Sequence, residues 1–291
     1  MKLSFLTSND NCSTCGASLS AMLRYCPTCR TDAGAPNVRA CKTKENLKAL
    51  LSRYSDAELL ANKKGLSTEF DNLKEAVKLK SGVVVTMTAS TARKLFEDPN
   101  ALYDNYNQLV GANARKPADP DNDRHRCSVG GLLFGSYANN IVYGALSLTE
   151  KGLPTYGDVH CRLRAITIDK RTSFLETNSY NFIADHHIAP GDNLPCGYRA
   201  DWENRHMLVL AKLLDSLSSG QTEDEWQSII IKSDSYNRDK DDFIEAHIYE
   251  NFDRNAIESM VRYTNKKLSS EQELDVSIAL DLYNNFRKQT I

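Results

Sequence analysis

Two Cys-x-x-Cys pairs, Cys12 with Cys15 and Cys26 with Cys29 in "NCSTCGASLSAMLRYCPTCRTD", constrain the fold of this chain more than any other feature. Thiolates at this spacing converge on one tetrahedral ion, and Gly16 after the first pair and Pro27 inside the second suit the tight turns such knuckles need. A segment of about 35 residues cannot bury much core, so a bound metal would supply most of its folding free energy. The expectation is a zinc ribbon over residues 1–35, with these four cysteines holding a structural Zn²⁺. A redox dithiol would want one such pair at a helix start rather than two knuckles. Cys41, Cys127, Cys161 and Cys196 show no ligand spacing and read as buried thiols.

Beyond the ribbon, 41% hydrophobic and 25% charged residues over 291 positions describe an ordinary globular chain, with room for one large domain beside a small one. No apolar run reaches the roughly 18 to 20 residues that span a bilayer, so no membrane partner is expected and the cytoplasm is the expected location. The net charge of −2 hides an asymmetry: residues 1–95 hold 15 Lys and Arg against 8 Asp and Glu, and the remainder is net acidic. Such polarity suits an anionic partner for the N-terminal part, nucleic acid first, although solvated lysines on helices account for it equally.

Residues 36–81 read as a helical linker. Leu47, Leu50, Leu51 and Tyr54 form one apolar stripe, and Phe70, Leu73 and Val77 a second. At "GVVVTMTAS" the pattern turns to a β-branched run, the expected first strand of a domain over 82–291. "YGDVHCRLRAITI", "QSIIIKSDSY" and "DFIEAHIY" read as further strands. Helices are expected around Met207 to Leu217 and around Ile257, Met260 and Val261, with a last one opening at the capping box Ser270 to Glu273. The fold class is α+β. In "DFIEAHIY" period two places Ile244, Ala246 and Ile248 on one face and Phe243, Glu245, His247 and Tyr249 on the other, so Glu245 faces away from the core.

Four strings in order carry a resemblance: "VYGALSL", "YGDVHCRLR", "RTSFLETNSY" and "DFIEAHIYENFDRNAIESMV". They resemble the YGAL, aromatic-Gly, R-x-T/S-F and Y-I-E-A-Q-x-H-G strings of a bacterial domain family of uncharacterised function. That family's succession of elements is similar to the ADP-ribosyltransferase fold. The likeness covers roughly residues 82–265, and it implies two split antiparallel sheets with helices, clamping NAD in the cleft between them. It also implies a catalytic Glu on a late strand, matched by Glu245, and a Ser/Thr string on a middle strand, matched by Thr172 and Ser173. An early Arg is matched by Arg126, with Arg124 its competitor. Arg171 joins Arg126 as a ligand for the diphosphate, and Tyr143 and Phe174 are positioned to stack on nicotinamide. His160 and His247 read as structural or rim histidines.

The resemblance further implies a mono-ADP-ribosyltransferase acting inside its own cell, as toxins of toxin–antitoxin and phage-defence systems do, with an inhibitor protein as a partner. With the ribbon attached, a nucleic-acid acceptor is favoured, RNA before DNA, and a protein acceptor is the alternative. Phe243 stands where arginine-modifying enzymes carry Glu or Gln, His247 replaces the family's Gln, and "IYEN" replaces its final string. A non-catalytic binding module is the second class of reading. A Mg²⁺ nuclease built on Asp241, Asp242 and Glu245 is a third.

Overall fold

A computed structural model of the chain describes residues 10–104, 108, 128–233, 240–263 and 267–289. The four-cysteine segment is a small β hairpin, β1 (Asp10–Asn11) with β2 (Ser18–Leu19), followed by a second knuckle. Helices α1 (Pro36–Cys41), α2 (Lys44–Lys64) and α3 (Ser67–Lys80) come next. The Thr43 side chain accepts from the Asn46 N–H and starts α2 by capping one of its free amides. The second apolar stripe packs as read, with Phe70, Leu73 and Val77 in one core with the sheet, while of the first only Leu50 and Tyr54 enter it and Leu51 is exposed. Helices α2 and α3 thus help cover one face of the sheet, while α1 packs on the other, with Val38 in a smaller apolar group.

Seven antiparallel strands form the main sheet. They are β3 (Gly82–Met87), β4 (Ile141–Ser147), β5 (Val159–Leu163), β6 (Thr172–Leu175), β7 (Arg199–Asp201), β10 (Glu245–Tyr249) and β11 (Ile257–Arg262). Their spatial order is β11-β5-β3-β4-β10-β6-β7. A separate two-stranded ladder joins β8 (Ile231–Lys232) to β9 (Asp242–Phe243). The expected pair of split sheets is therefore one hydrogen-bonded sheet with a weak seam. At the seam β3 and β4 pair only from Gly82↔Ser147 to Val84↔Ala145, and the rest of β3 pairs with β5 alone. Gly144 lies at the end of that seam, where an added Cβ would stand 2.7 Å from Val83 Cγ1 and 3.1 Å from Val84 O.

The two faces of the sheet differ in cover. One carries Val83, Val85, Cys161, Leu163, Phe174, Ala246 and Ile248 under α2, α3, α4 (Ala89–Glu97) and the helices Arg205–Leu213 and Ser270–Gln289. The other carries Ile141, Leu175 and Tyr249 under a smaller apolar group that includes Phe134, Tyr137 and Phe182.

Four sequence expectations change. The "AITI" end of "YGDVHCRLRAITI" is the short helix Ala165–Ile168 and not strand. "QSIIIK" is mostly the helix Glu223–Ile230, because Thr222 and Glu225 form a capping box and Trp226 and Ile230 bury one turn apart. The residues around Met260 form strand β11 instead of a helix, and a register shift between Ile257 and Ser259 hides its alternation. The last helix is capped one residue early: the Gln272 N–H donates to Ser269 Oγ, the Ser269 N–H donates to Gln272 Oε1, and Glu273 pairs with Arg262 at 2.6 Å.

Candidate metal centre and carboxylate site

Each cysteine pair of the ribbon closes a tight backbone turn. The Gly16 N–H donates to Cys12 O and the Arg30 N–H to Cys26 O, both at 2.8 Å, and both residues take positive φ, 71° and 61°. These turns bring the four Sγ atoms within 4.8 Å of one another, with Cys12 to Cys29 at 3.5 Å and Cys15 to Cys26 at 3.6 Å. A tetrahedron of Zn–S bonds of about 2.3 Å has edges of about 3.8 Å, so the cluster fits the ion. The Thr31 hydroxyl and amide lower the Cys29 thiol to about 6, while Cys15, against the pull of the Ala17 amide, is pushed up to about 12 by the other thiols crowded around it. The cluster can thus hold a structural metal such as Zn²⁺. Of the remaining cysteines, Cys41 and Cys161 are buried as expected, Cys196 is exposed, and Cys127 lies outside the described residues.

The ribbon is fastened to the larger domain at several points. Arg39 of α1 donates to the carbonyls of Ser20, Ala21 and Leu23. Arg24 bridges Asp32 at 2.8 Å and Glu250, one residue past β10, at 2.6 Å.

Strand β10 follows the alternation of its sequence. Ala246 and Ile248 enter the main core beside Ile244, while Glu245, His247 and Tyr249 face the other side. Register brings a row onto that side: Tyr143 of β4, His247 of β10, Ser173 of β6 and Asp201 of β7 stand opposite one another in turn. The neighbouring row is Ala145, Glu245, Leu175 and Arg199.

Glu245 is 8% exposed, and one of its oxygens is fully engaged. Oε2 accepts from the Ser179 N–H at 2.9 Å, from the Ser179 hydroxyl, and from His247 Nε2 at 2.9 Å. Ser179 opens the helix Ser179–Asp185, so its amide has no partner within the helix, and a carboxylate is the natural acceptor at that end. Asn178 caps the same helix by accepting from the Asn181 N–H and ties it to the Asp241 carbonyl. No described residue bonds Oε1. The contact to Glu245 places the His247 proton on Nε2, and the ring stands edge-on to Phe134 at 4.8 Å and to Tyr143 at 5.4 Å.

The structure therefore gathers Glu245, Ser173 and Tyr143 on one face and separates the other candidates from them. Thr172 points to the opposite face, fully buried, and donates to the Ile168 carbonyl. Phe174 is also fully buried there, 5.8 Å from the Trp202 ring, and is a core residue out of reach of a ligand beside Glu245. The Arg171 guanidinium is spent on the carbonyls of Thr167, Tyr249 and Glu250, and burial lowers its pKa. Arg124 and Arg126 lie outside the described residues. His160 is a core histidine whose Nδ1 faces the Gly152 amide at 2.8 Å and the Thr86 hydroxyl at 3.2 Å.

Sequence reasoning missed three residues of this face. Asn37 of α1, 3% exposed, donates from Nδ2 to His247 O at 2.9 Å and to Ser173 Oγ at 3.0 Å. Ser179 was legible only as part of an N-cap string, "TNSY", and Arg199 carried no signal at all.

No protein-family model matches the chain, and no curated protein matches its sequence. Among the described residues no helix is long and apolar enough to cross a membrane.

Proposed function

We propose that this protein is an NAD-dependent ADP-ribosyltransferase whose catalytic carboxylate is Glu245. One observation carries the reading: a buried glutamate on a central strand has one oxygen fixed by an amide, a hydroxyl and an imidazole, and its other oxygen free for a ligand. Cleaving the nicotinamide glycosidic bond sends the bonding pair to the ring nitrogen, which leaves as neutral nicotinamide, and builds positive charge on the ribose. A carboxylate held at the ribose 2′-hydroxyl gains more from that charged state than from the ground state, which is what lowers the barrier. The acceptor's nucleophile then forms the new bond to ribose C1′ and gives up its proton to solvent. Tyr143 and Ser173 would position the nicotinamide half, and Asn37 orients the Ser173 hydroxyl.

The favoured acceptor is a nucleic acid, RNA first, with a protein acceptor as the alternative. Such an activity inside its own cell is that of a toxin, in a toxin–antitoxin or phage-defence setting, and calls for an inhibitor protein. The test is incubation of the metal-loaded protein with labelled NAD and separately extracted RNA, DNA and protein. Label entering one fraction with wild type and not with Glu245→Gln supports the reading and names the acceptor. A second reading, a binding module that turns over no NAD, is favoured by the close cover of Phe134 and Tyr137 over the same face. Intact NAD in every fraction would select it.

A further inference from the structure

Beside His247 lies a narrow, partly open recess lined by Asn37, Tyr137, Ser173, Arg199 and His247 among others. Two of its polar atoms are buried with no partner: Asn37 Oδ1, an acceptor, and Arg199 Nε, a donor. The Asn37 amide cannot turn to relieve this. Its Nδ2 is fixed by His247 O and Ser173 Oγ, so Oδ1 must face the recess. Arg199 makes no ion pair with a described carboxylate, whereas Arg171 has its Nε and Nη1 directed at main-chain carbonyls. A buried polar atom without a partner is costly, and a guanidinium more so than a neutral group. A donor and an acceptor left open in one recess call for a ligand that offers both.

We propose that this recess seats a sugar phosphate, with a phosphoryl oxygen accepting from Arg199 Nε–H and a sugar hydroxyl donating to Asn37 Oδ1. The narrowness suits single oxygen atoms, leaving the body of the ligand outside. Arg199 lies in the same cross-strand row as Glu245 with only Leu175 between them, two strand spacings or roughly 10 Å of backbone. One ligand can therefore reach both. This rests on the transferase reading to the extent that the ligand is a dinucleotide, in which case Arg199 is the diphosphate clamp that Arg171 cannot be. The charge-assisted bond to a guanidinium is the strong contact in such a pair.

The experiment is calorimetric titration of the full-length, metal-loaded protein with ADP-ribose and with inorganic pyrophosphate, for wild type, Arg199→Gln and Arg199→Lys. The Arg199 Nε–H resonance is followed by NMR in the wild type. Expected are binding of ADP-ribose, a shift of that resonance on titration, a loss of tenfold or more in Arg199→Gln, and a smaller loss in Arg199→Lys, which keeps the charge without the Nε–H. Arg199→Lys also carries the test if Arg199→Gln fails to fold. Equal affinity of all three for ADP-ribose would overturn the assignment of Arg199 and leave the transferase reading standing. Arg199-dependent binding of pyrophosphate without binding of ADP-ribose would uphold the phosphate seat and remove the dinucleotide. Binding of neither probe, with the Nε–H resonance unmoved, would mean that the recess holds water only and would overturn the proposal.

Discussion

His247 Nε2 stands 2.9 Å from Glu245 Oε2, two residues along the same strand, so both groups arrive on one face by strand alternation alone. The imidazole is in turn boxed by Phe134, Tyr143 and the Asn37-bound backbone, and it fixes the carboxylate without consuming its second oxygen.

Removing that carboxylate's charge tests the mechanism directly. Glu245→Gln should keep the fold, since the amide oxygen still accepts from the Ser179 N–H, and should lower kcat for NAD consumption by about 10² to 10³, the scale of losing one preorganised electrostatic group. Near-native kcat, with melting unchanged, would rule Glu245 out as the catalytic group.

Ser179→Ala removes one of three bonds to Glu245 Oε2 but keeps the amide donor. The expected cost in stability is about 1 kcal/mol, the net worth of a typical hydrogen bond. In activity assays kcat should fall with KM little changed, because the loosened carboxylate acts in the transition state.

Phe174→Ala should cost about 3 to 5 kcal/mol of stability, as truncation of a fully buried aromatic does. In whatever folded fraction remains, NAD affinity should match wild type. A selective loss of NAD affinity at unchanged stability would contradict the placement of Phe174 in the main core.

These assignments show what the sequence made legible. The ribbon was, because ligand spacing is a covalent constraint; strand β10 was, because its alternation is unbroken. Thr172, Ser173 and Phe174 are adjacent on one strand, so they cannot all face one ligand, and alternation alone sorts Ser173 from its neighbours. Arg171 looked like a ligand because a sequence displays a cation without displaying the carbonyls that surround it. Asn37, Ser179 and Arg199 come from three distant parts of the chain and meet on the face only through strand register and the packing of α1, which no local pattern encodes.

Acid should unfold the protein through its buried histidines. Burial pushes His160 and His206 down to about 4 from an unfolded value near 6.5. Both are neutral bases in the fold, so the unfolded chain binds more protons between those values, and stability falls as pH drops from about 6.5 toward 4. His160 contributes as much as about 3 kcal/mol across that window, and His206, nearer to solvent, a smaller share. Melting temperature measured from pH 7 to pH 4 should fall less steeply in His160→Asn, which keeps an acceptor near the Gly152 amide.

Metal removal should act beyond the ribbon. Chelation or Cys26→Ser should release one Zn²⁺ per chain, read by elemental analysis, and melt the knuckles, which depend on the ion for their folding. Amide exchange should then quicken in residues 245–250 as well, because Arg24 and Arg39 tie the knuckle loops to Glu250 and α1. Exchange confined to the first 35 residues would show that the fastening carries no load.

The seam between β3 and β4 gives the absence of a side chain at position 144 a geometric meaning. One methyl group there would act as a wedge against Val83 and the Val84 carbonyl, prising the three-residue hinge from the side of the main core. The half of the sheet that carries Tyr143, Glu245 and Ser173 would tilt as a plate against the half that carries His160 and Arg162. The angle between the two plates is thus governed by an atom that is missing, on the strand position between Tyr143 and Ala145 and directly opposite Ala246.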